Sequence, residues 1–366
     1  MRFAGCVLVC IWTAAAQQPN IDEALRRAIA AQQRRDFAEA ARGYRLVLEK
    51  RPEQIEARVN LAAVLAETGR LDEAIAVLEP AADKPGVRKN LALAYYRKDD
   101  LAAAIREFEK LNAAERANVQ IVSVMVDCYL RSGVPEKALG LIEPAAKQHP
   151  SDARVQYQLG VARIRTGAGK SALDPLERAG KTGRSAEAYL LAGATALELG
   201  EYQRARDDLE NAVRIDPKIP GAWTWTGMAR DRVSDEEGAK QAYRTALELD
   251  PRDFEANLHF GAILYRERDL TTAKALLENA LKLQPGSNLA VYAMALVRAA
   301  TGETERSVAD LQAVTKAEPD WLEPHVKLAS LYFRLHRDAE ARREEEIVEK
   351  LRSEHREKVV PLPEMR

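Results

Sequence analysis

The sequence predicts an all-α solenoid of stacked helix pairs, and three observations predict it. A column of small residues recurs at Ala40, Ala74, Ala104, Ala138, Ala172, Ala205, Ala239, Ala273, Ser307 and Ala341, at separations of 34, 30, 34, 34, 33, 34, 34, 34 and 34 residues. A second small column stands twelve residues earlier, at Ala28, Ala62, Ala92, Val126, Gly160, Gly193, Gly227, Gly261, Ala295 and Ala329. Between the two falls a break that often carries glycine (Gly69, Gly133, Gly167, Gly200, Gly302), and six periods close on proline, at Pro52, Pro150, Pro217, Pro251, Pro285 and Pro319. A fixed period in the thirties marks a supersecondary unit stacked on copies of itself.

Cut at one phase, the repeats start at residues 21, 55, 85, 119, 153, 186, 220, 254, 288 and 322. Places 4, 7, 8 and 11 of each repeat have the spacing of one helix face, and places 20, 24 and 27 give a second helix the same kind of stripe. Each repeat is therefore two helices. Small residues at places 8 and 20 let the axes approach, and a large residue at place 24 (Tyr44, Leu78, Phe108, Ile142, Leu209, Tyr243, Leu277, Leu311) fills the gap beside them. Glycine stops the first helix, and proline, which cannot continue a helix, stops the second.

With Trp223, Gly227, Ala239, Tyr243, Ala246 and Pro251 in place, the seventh repeat resembles the tetratricopeptide repeat family, and the resemblance covers residues 21–355. It implies a right-handed superhelical solenoid of about ten repeats. In that frame Ala40, Ala74, Ala104, Ala138, Ala172, Ala205, Ala239 and Ala273, with Gly193, Gly227, Gly261 and Trp223, are structural. The second repeat is four residues short and carries Pro80 and Pro85, so residues 78–90 are expected to be the least regular; Pro80 recurs at the same place as Pro144, where it should kink or shorten the second helix. The last repeat ends in a charged helix, Glu340 to Lys358, with Glu345 at place 24. It reads as a polar cap passing into a flexible tail over residues 356–366.

Composition narrows the class. The 366 residues carry a net charge of -1 with 30% charged side chains, so no overall field draws the chain to nucleic acid or a membrane. Because repeats touch only their neighbours, one elongated domain is expected despite the length. Met1 and Arg2, the apolar run Phe3 to Trp12 and the Ala14-Ala15-Ala16 end have the form of a secretory leader over residues 1–16, cut after Ala16, with residues 17–20 leading into the first repeat. The apolar run is too short to span a bilayer, and cleavage leaves no transmembrane segment. Cys6 in a partial lipobox makes a lipid anchor in the envelope the alternative. An exported protein, periplasmic or secreted, is expected. Cleavage leaves Cys128 alone, so no internal disulfide forms, and its place in the repeat is that of a small buried residue.

Catalytic patterns are not found. Gly167 to Ser171 looks like the end of a phosphate-binding loop, but Ile164 stands where its glycine belongs and a helix, not a strand, precedes it. The string falls where the fifth repeat must turn. Five histidines (His149, His259, His325, His336, His355) are scattered, with surface or groove solvation as their expected state and no pairing that makes a metal site. No catalytic residue, no metal and no cofactor are expected.

A second stripe on the first helix, at places 2, 5, 9 and 12, points away from the core. In tetratricopeptide proteins this stripe lines the concave groove that holds an extended peptide. Here it contains Tyr96, Tyr157, Met228, Tyr265, Tyr292 and Phe333, with Trp225 adjacent, and such side chains offer large contact area with a polar handle. Place 13 is arginine in six repeats: Arg97, Arg131, Arg165, Arg232, Arg266 and Arg334. Two accounts stand side by side, arginine completing the C-terminus of its own helix, or a ladder of guanidinium groups suited to carboxylate or phosphate on an extended partner. The family's carboxylate clamp finds only Lys89 and Arg154 among five positions, with Leu93, Val124 and Gln158 at the rest, so a chaperone-tail receptor is not expected. The sequence thus reads as a non-catalytic scaffold of the cell envelope that binds protein or an extended, acidic peptide. The alternative is an accessory subunit of polysaccharide export or secretion that meets acidic glycan.

Overall fold

The computed structural model of the protein describes residues 20–358; the expected leader with its Ala16 cleavage site, Cys6 and Cys10, and the tail beyond Lys358 lie outside the described residues. The chain divides into two compact bodies, one ending at His149 and one beginning at Pro150. The N-terminal body contains α1 (Ile21–Gln33), α2 (Phe37–Lys50), α3 (Ile55–Glu67), α4 (Leu71–Leu78), α5 (Val87–Arg97), α6 (Leu101–Glu109), the single turn α7 (Ala113–Arg116), α8 (Val119–Arg131) and α9 (Pro135–Gln148). The C-terminal body contains α10 (Ala153–Arg165), α11 (Gly169–Gly183), α12 (Ala186–Glu198), α13 (Tyr202–Ile215), α14 (Ala222–Arg232) and α15 (Glu236–Leu249). It continues with α16 (Phe254–Arg266), α17 (Leu270–Leu283), α18 (Asn288–Ala300), α19 (Thr304–Ala317), α20 (Leu322–Arg334) and α21 (Asp338–Lys358). Within each body, each first helix packs on the second helix of its repeat, and that second helix on the next first helix.

The small columns form the joint of each pair. All ten members of the first column, from Ala40 to Ala341, are fully buried, and the hydroxyl of Ser307 donates to the Ala295 carbonyl at 2.7 Å, linking place 20 directly to place 8. A Cβ added at Gly193 would lie 2.5 Å from Leu209 Cγ, and one at Gly227 2.7 Å from the ring of Tyr243, so the large residue of place 24 sits directly over the helix backbone.

Place 15, the turn between paired helices, has positive φ in every repeat. Gly69, Gly133, Gly167, Gly200 and Gly302 adopt it at 71 to 87°, and Arg35, Asp99, Ser234, Arg268 and His336 adopt it at 58 to 70°. The turn geometry is thus set by the packing of the pair. Glycine only makes it inexpensive, since a side chain in this region costs about 1 kcal/mol or more.

The expected irregularity at residues 78–90 is present: α4 stops at Leu78, and Pro80 sits in a 3-10 turn, Glu79–Ala81. At Pro144 the second helix is not shortened. Helix α9 runs through it from Pro135 to Gln148, and α11 likewise runs through Pro175. The Gly167 string is a turn, with φ 78° at Gly167 and α11 beginning at Gly169. Cys128 is fully buried, and burial pushes its thiol up to about 11, which keeps it protonated and unreactive. His325 corrects the expectation of a solvated histidine. It is buried, with Nδ1 2.6 Å from Glu344 Oε2 and Nε2 3.0 Å from the Pro319 carbonyl.

Candidate peptide groove

In the C-terminal body, the predicted stripe lies on the first helices, half-buried at Tyr157, Trp225, Met228, Tyr265 and Tyr292. Tyr157 of α10 leans on Ala172, Leu176 and Ala192, and Trp225 of α14 on the Leu209 and Ala229 cluster. Tyr265 of α16, with Met228 of α14, packs against the core around Tyr243 and Leu277. Tyr292 of α18 packs on Trp321 with ring centroids 4.8 Å apart and the planes tilted by 51°, and burial raises its hydroxyl pKa, with the Glu323 carboxylate adding to the shift. Beside that ring pair Leu289 is 46% exposed, and an open pocket of about 650 Å³ is lined by Leu289, Glu318, Pro319, Asp320 and Trp321. Phe333 is 41% exposed. In the N-terminal body, Tyr96 of α5 is half-buried and its hydroxyl donates to Asp127 Oδ2 at 2.9 Å.

The arginines of place 13 reach back to the preceding repeat. Arg97 donates to Glu67 at 3.0 Å, Arg131 to Asp99 with Asp127 at 3.6 Å, and Arg266 to Asp231 at 2.8 Å and Glu236 at 3.4 Å. Arg232 lies over the Tyr202 ring at 5.4 Å, and Arg334 donates to the Ala299 carbonyl at 3.2 Å and to Thr304 Oγ1 at 3.3 Å. Arg165 is exposed. So Arg97, Arg131, Arg232, Arg266 and Arg334 act between repeats, and at Arg334 the helix terminus satisfied belongs to the neighbouring first helix α18. All six remain exposed, so solvent screens each ion pair and leaves it weak. A bound anion would have to compete with the internal carboxylates for Arg97, Arg131 and Arg266.

A second recurring feature was not read from the sequence. Place 4, assigned to the apolar core stripe, carries a nitrogen donor bonded to the carbonyl of the proline six residues earlier: Arg58 to Pro52 at 2.6 Å, Trp223 to Pro217 at 2.8 Å and Asn257 to Pro251 at 3.1 Å, with His325 against Pro319. The signal was available as the spacing of a donor six residues after proline. These bonds fix the entry of each first helix from the loop before it.

Profiles described as tetratricopeptide repeat match residues 31–86, 95–157, 186–219 and 226–288, together more than half of the chain. The chain belongs to the tetratricopeptide repeat family. Among curated relatives of this tetratricopeptide repeat protein, the stress-induced-phosphoprotein 1 of Caenorhabditis elegans is 26% identical over 239 residues, covering 62% of this chain and 72% of that protein. The human protein O-mannosyl-transferase TMTC1 is 26% identical over 185 residues, which is 49% of this chain and 21% of the transferase, so the chain spans about a fifth of that relative. Of solved structures, the C-terminal part of a tetratricopeptide repeat protein from Cytophaga hutchinsonii shares the fold at a TM-score of 0.54 and 20% identity, over 64% of this chain and 99% of that one. Among the described residues no helix is long and apolar enough to cross a membrane, and no three His, Cys, Asp or Glu side chains group as metal ligands.

Proposed function

We propose that this tetratricopeptide repeat protein is a non-catalytic scaffold that binds an extended protein segment along the first helices of its C-terminal body. The observation that carries the reading is the exposed Leu289 beside the tilted Tyr292–Trp321 ring pair, where apolar and aromatic surface borders an open pocket of about 650 Å³ instead of closing into the core. Aromatic anchors beside a cavity are what an interface hot spot requires. The family's protein-binding role supports the reading. Because three of the arginines already pair with carboxylates, apolar contact and not an acidic partner is taken as the main source of affinity. The export leader motivates a further part of the proposal, that the scaffold works in the cell envelope; sequencing of mature protein from its host is expected to start at Gln17, and a start at Met1 would overturn that part.

Peptide display against the full chain tests the groove. Enriched peptides are expected to lose at least about tenfold in affinity toward a Leu289→Glu, Tyr292→Ala variant that keeps its helical melting curve. Equal affinity for parent and variant would remove the C-terminal groove as the binding surface.

A further inference from the structure

We infer that the pocket at Leu289 and Trp321 takes an arginine side chain of the bound segment, its guanidinium lying on the Trp321 ring and paired with the carboxylates of Glu318 and Asp320. The inference rests on the peptide-binding reading above and narrows it to a ligand class. Of the six prolines that close repeats, Pro319 alone has a carboxylate on both sides, Glu318 and Asp320, and an aromatic residue, Trp321, next in the chain. Where aspartate precedes such a proline, at Asp216 and Asp250, a cation follows it, Lys218 or Arg252. Those aspartates are also used internally, accepting from the Lys218 and Arg252 backbone N–H groups at 2.9 Å each. The corner at Pro319 is the exception. Asp320 is exposed and, among the described residues, has neither hydrogen bond nor ion pair, and the Glu318 carboxylate accepts only from the neutral Asn288 amide at 2.7 Å.

The surrounding chain does not neutralise this charge. Residues 283–297, which supply Leu289 and Tyr292, contain no charged side chain, and residues 317–324 contain three carboxylates, Glu318, Asp320 and Glu323, and no lysine or arginine. The flanking Lys282, Lys316 and Lys327 are not among the residues that line the pocket. Helix ends do not compensate it either, since Glu318 caps the C-terminal end of α19, where the helix carbonyls are themselves partly negative, and Glu323 already occupies the first turn of α20. The aromatic wall borders the same space. Trp321 lines the pocket, Tyr292 meets it at a tilt of 51°, and the Trp321 indole N–H makes no hydrogen bond among the described residues. A cation over an aromatic face is attracted by the ring quadrupole, and a guanidinium is flat enough to lie on the ring while its N–H fork bonds a carboxylate. The chain completes this arrangement itself in the next repeat, where Arg337 lies over the Tyr332 ring at 4.6 Å and donates from Nε to Glu340 Oε2 at 2.8 Å. At Trp321 the ring and the carboxylates are in place, and the guanidinium is what the partner supplies.

The test uses the full chain with ¹⁵N-labelled tryptophan indoles, the Trp321 signal being the one lost in Trp321→Phe, and three acetylated, amidated hexapeptides: GSLRSG, GSLKSG and GSL-citrulline-SG, citrulline being the uncharged isostere of arginine. GSLRSG is expected to shift the Trp321 indole resonance at millimolar concentration, and the citrulline peptide to bind roughly tenfold more weakly, with the lysine peptide between the two. In a Glu318→Gln, Asp320→Asn variant, which alters two exposed side chains and whose folding circular dichroism checks, the arginine and citrulline peptides should bind alike. A Trp321 signal silent toward all three peptides, or a preference for arginine unchanged in the double variant, would overturn the inference, and a lysine peptide equal to the arginine one would overturn the guanidinium in particular. Equal binding of the arginine and citrulline peptides by the parent, with Trp321 shifted by both, removes the arginine and leaves the apolar groove standing. Failure of the groove itself is read separately, from display-selected peptides that bind the Leu289→Glu, Tyr292→Ala protein as well as they bind the parent.

Discussion

At place 8 the N-terminal body carries Ala28, Ala62, Ala92 and Val126, whereas the C-terminal body opens with glycine in four successive repeats, Gly160, Gly193, Gly227 and Gly261. Each helical glycine costs roughly 1 kcal/mol of propensity against alanine. In return Leu176, Leu209, Tyr243 and Leu277 sit over bare backbone, where an added Cβ would come within 2.5 to 2.9 Å of them. The interiors differ in the same direction. Among the described residues, the N-terminal body buries one polar side chain, Ser123, while the C-terminal body holds Gln156, Thr195, Asp208, Thr224, Thr226, Lys240, Asn257, Ser307 and His325. One repeat geometry is therefore reached in two ways, by a conventional apolar joint or by tighter contact and internal hydrogen bonds.

The largest expected effect breaks the tight joint. In Gly227→Ala the new methyl meets the fully buried Tyr243 ring at 2.7 Å, and overpacking should cost about 1–3 kcal/mol despite the better helix former. Ala28→Gly in the N-terminal body should cost only about 0.5–1 kcal/mol. Denaturant melts of the two variants measure the contrast; a Gly227→Ala protein as stable as its parent would show the joint to be soft.

The buried carboxylate of Asp208 sharpens the comparison through pH. It is 4% exposed, its Oδ2 accepts no hydrogen bond, and burial, with the like charges of Glu177 and Asp207 and partial relief from Arg204, pushes it up to about 7. The folded protein keeps this proton up to about pH 7, whereas the unfolded chain releases it near pH 4. The folded state binds more protons across that window, so the contribution of Asp208 to stability is complete below about pH 4 and is lost as pH rises through about 7. Asp208→Asn should melt close to the parent at pH 4.5 and clearly above it at pH 8. A constant difference between the two pH values would show that Asp208 ionises normally in the fold.

Two tyrosines at place 24 give the smallest contrast. The Tyr44 hydroxyl donates to Gln32 Oε1 at 2.5 Å, whereas the Tyr243 hydroxyl is buried without a hydrogen-bond partner among the described residues. Tyr44→Phe should lower stability by about 1 kcal/mol, and Tyr243→Phe should leave it unchanged or raise it, because an unmade buried hydrogen bond is removed along with its desolvation cost. Thermal melts of the pair test the difference; a loss at Tyr243→Phe equal to that at Tyr44→Phe would mean that both hydroxyls are satisfied.

Much of the candidate groove was legible because a helix converts spacing into direction. Places 2, 5, 9 and 12 share a face, and Tyr157, Tyr265 and Tyr292 do lie half-buried on it. The arginines of place 13 were legible as a column but not as to their task. Arg97 with Glu67 and Arg266 with Asp231 are about 30 residues or more apart, and pairing across one repeat has no signal in local spacing. Nor could composition indicate that a donor at place 4 returns to a proline carbonyl, or that Pro144 sits inside a helix of full length.

By itself the sequence determined the repeat: ten helix pairs, their phase, the buried column from Ala40 to Ala341, and the interruption at Pro80. These follow from periodicity and from the covalent limits of glycine and proline, which act within one repeat. The tertiary structure decided what depends on distance between repeats. It placed the arginine bridges, the burial of Asp208, the left-handed turn imposed on Arg268 and His336, and the pocket beside Leu289 and Trp321. The physical reason is that burial, ion pairing and void volume belong to the contact between elements, and a contact exists only once the elements are stacked.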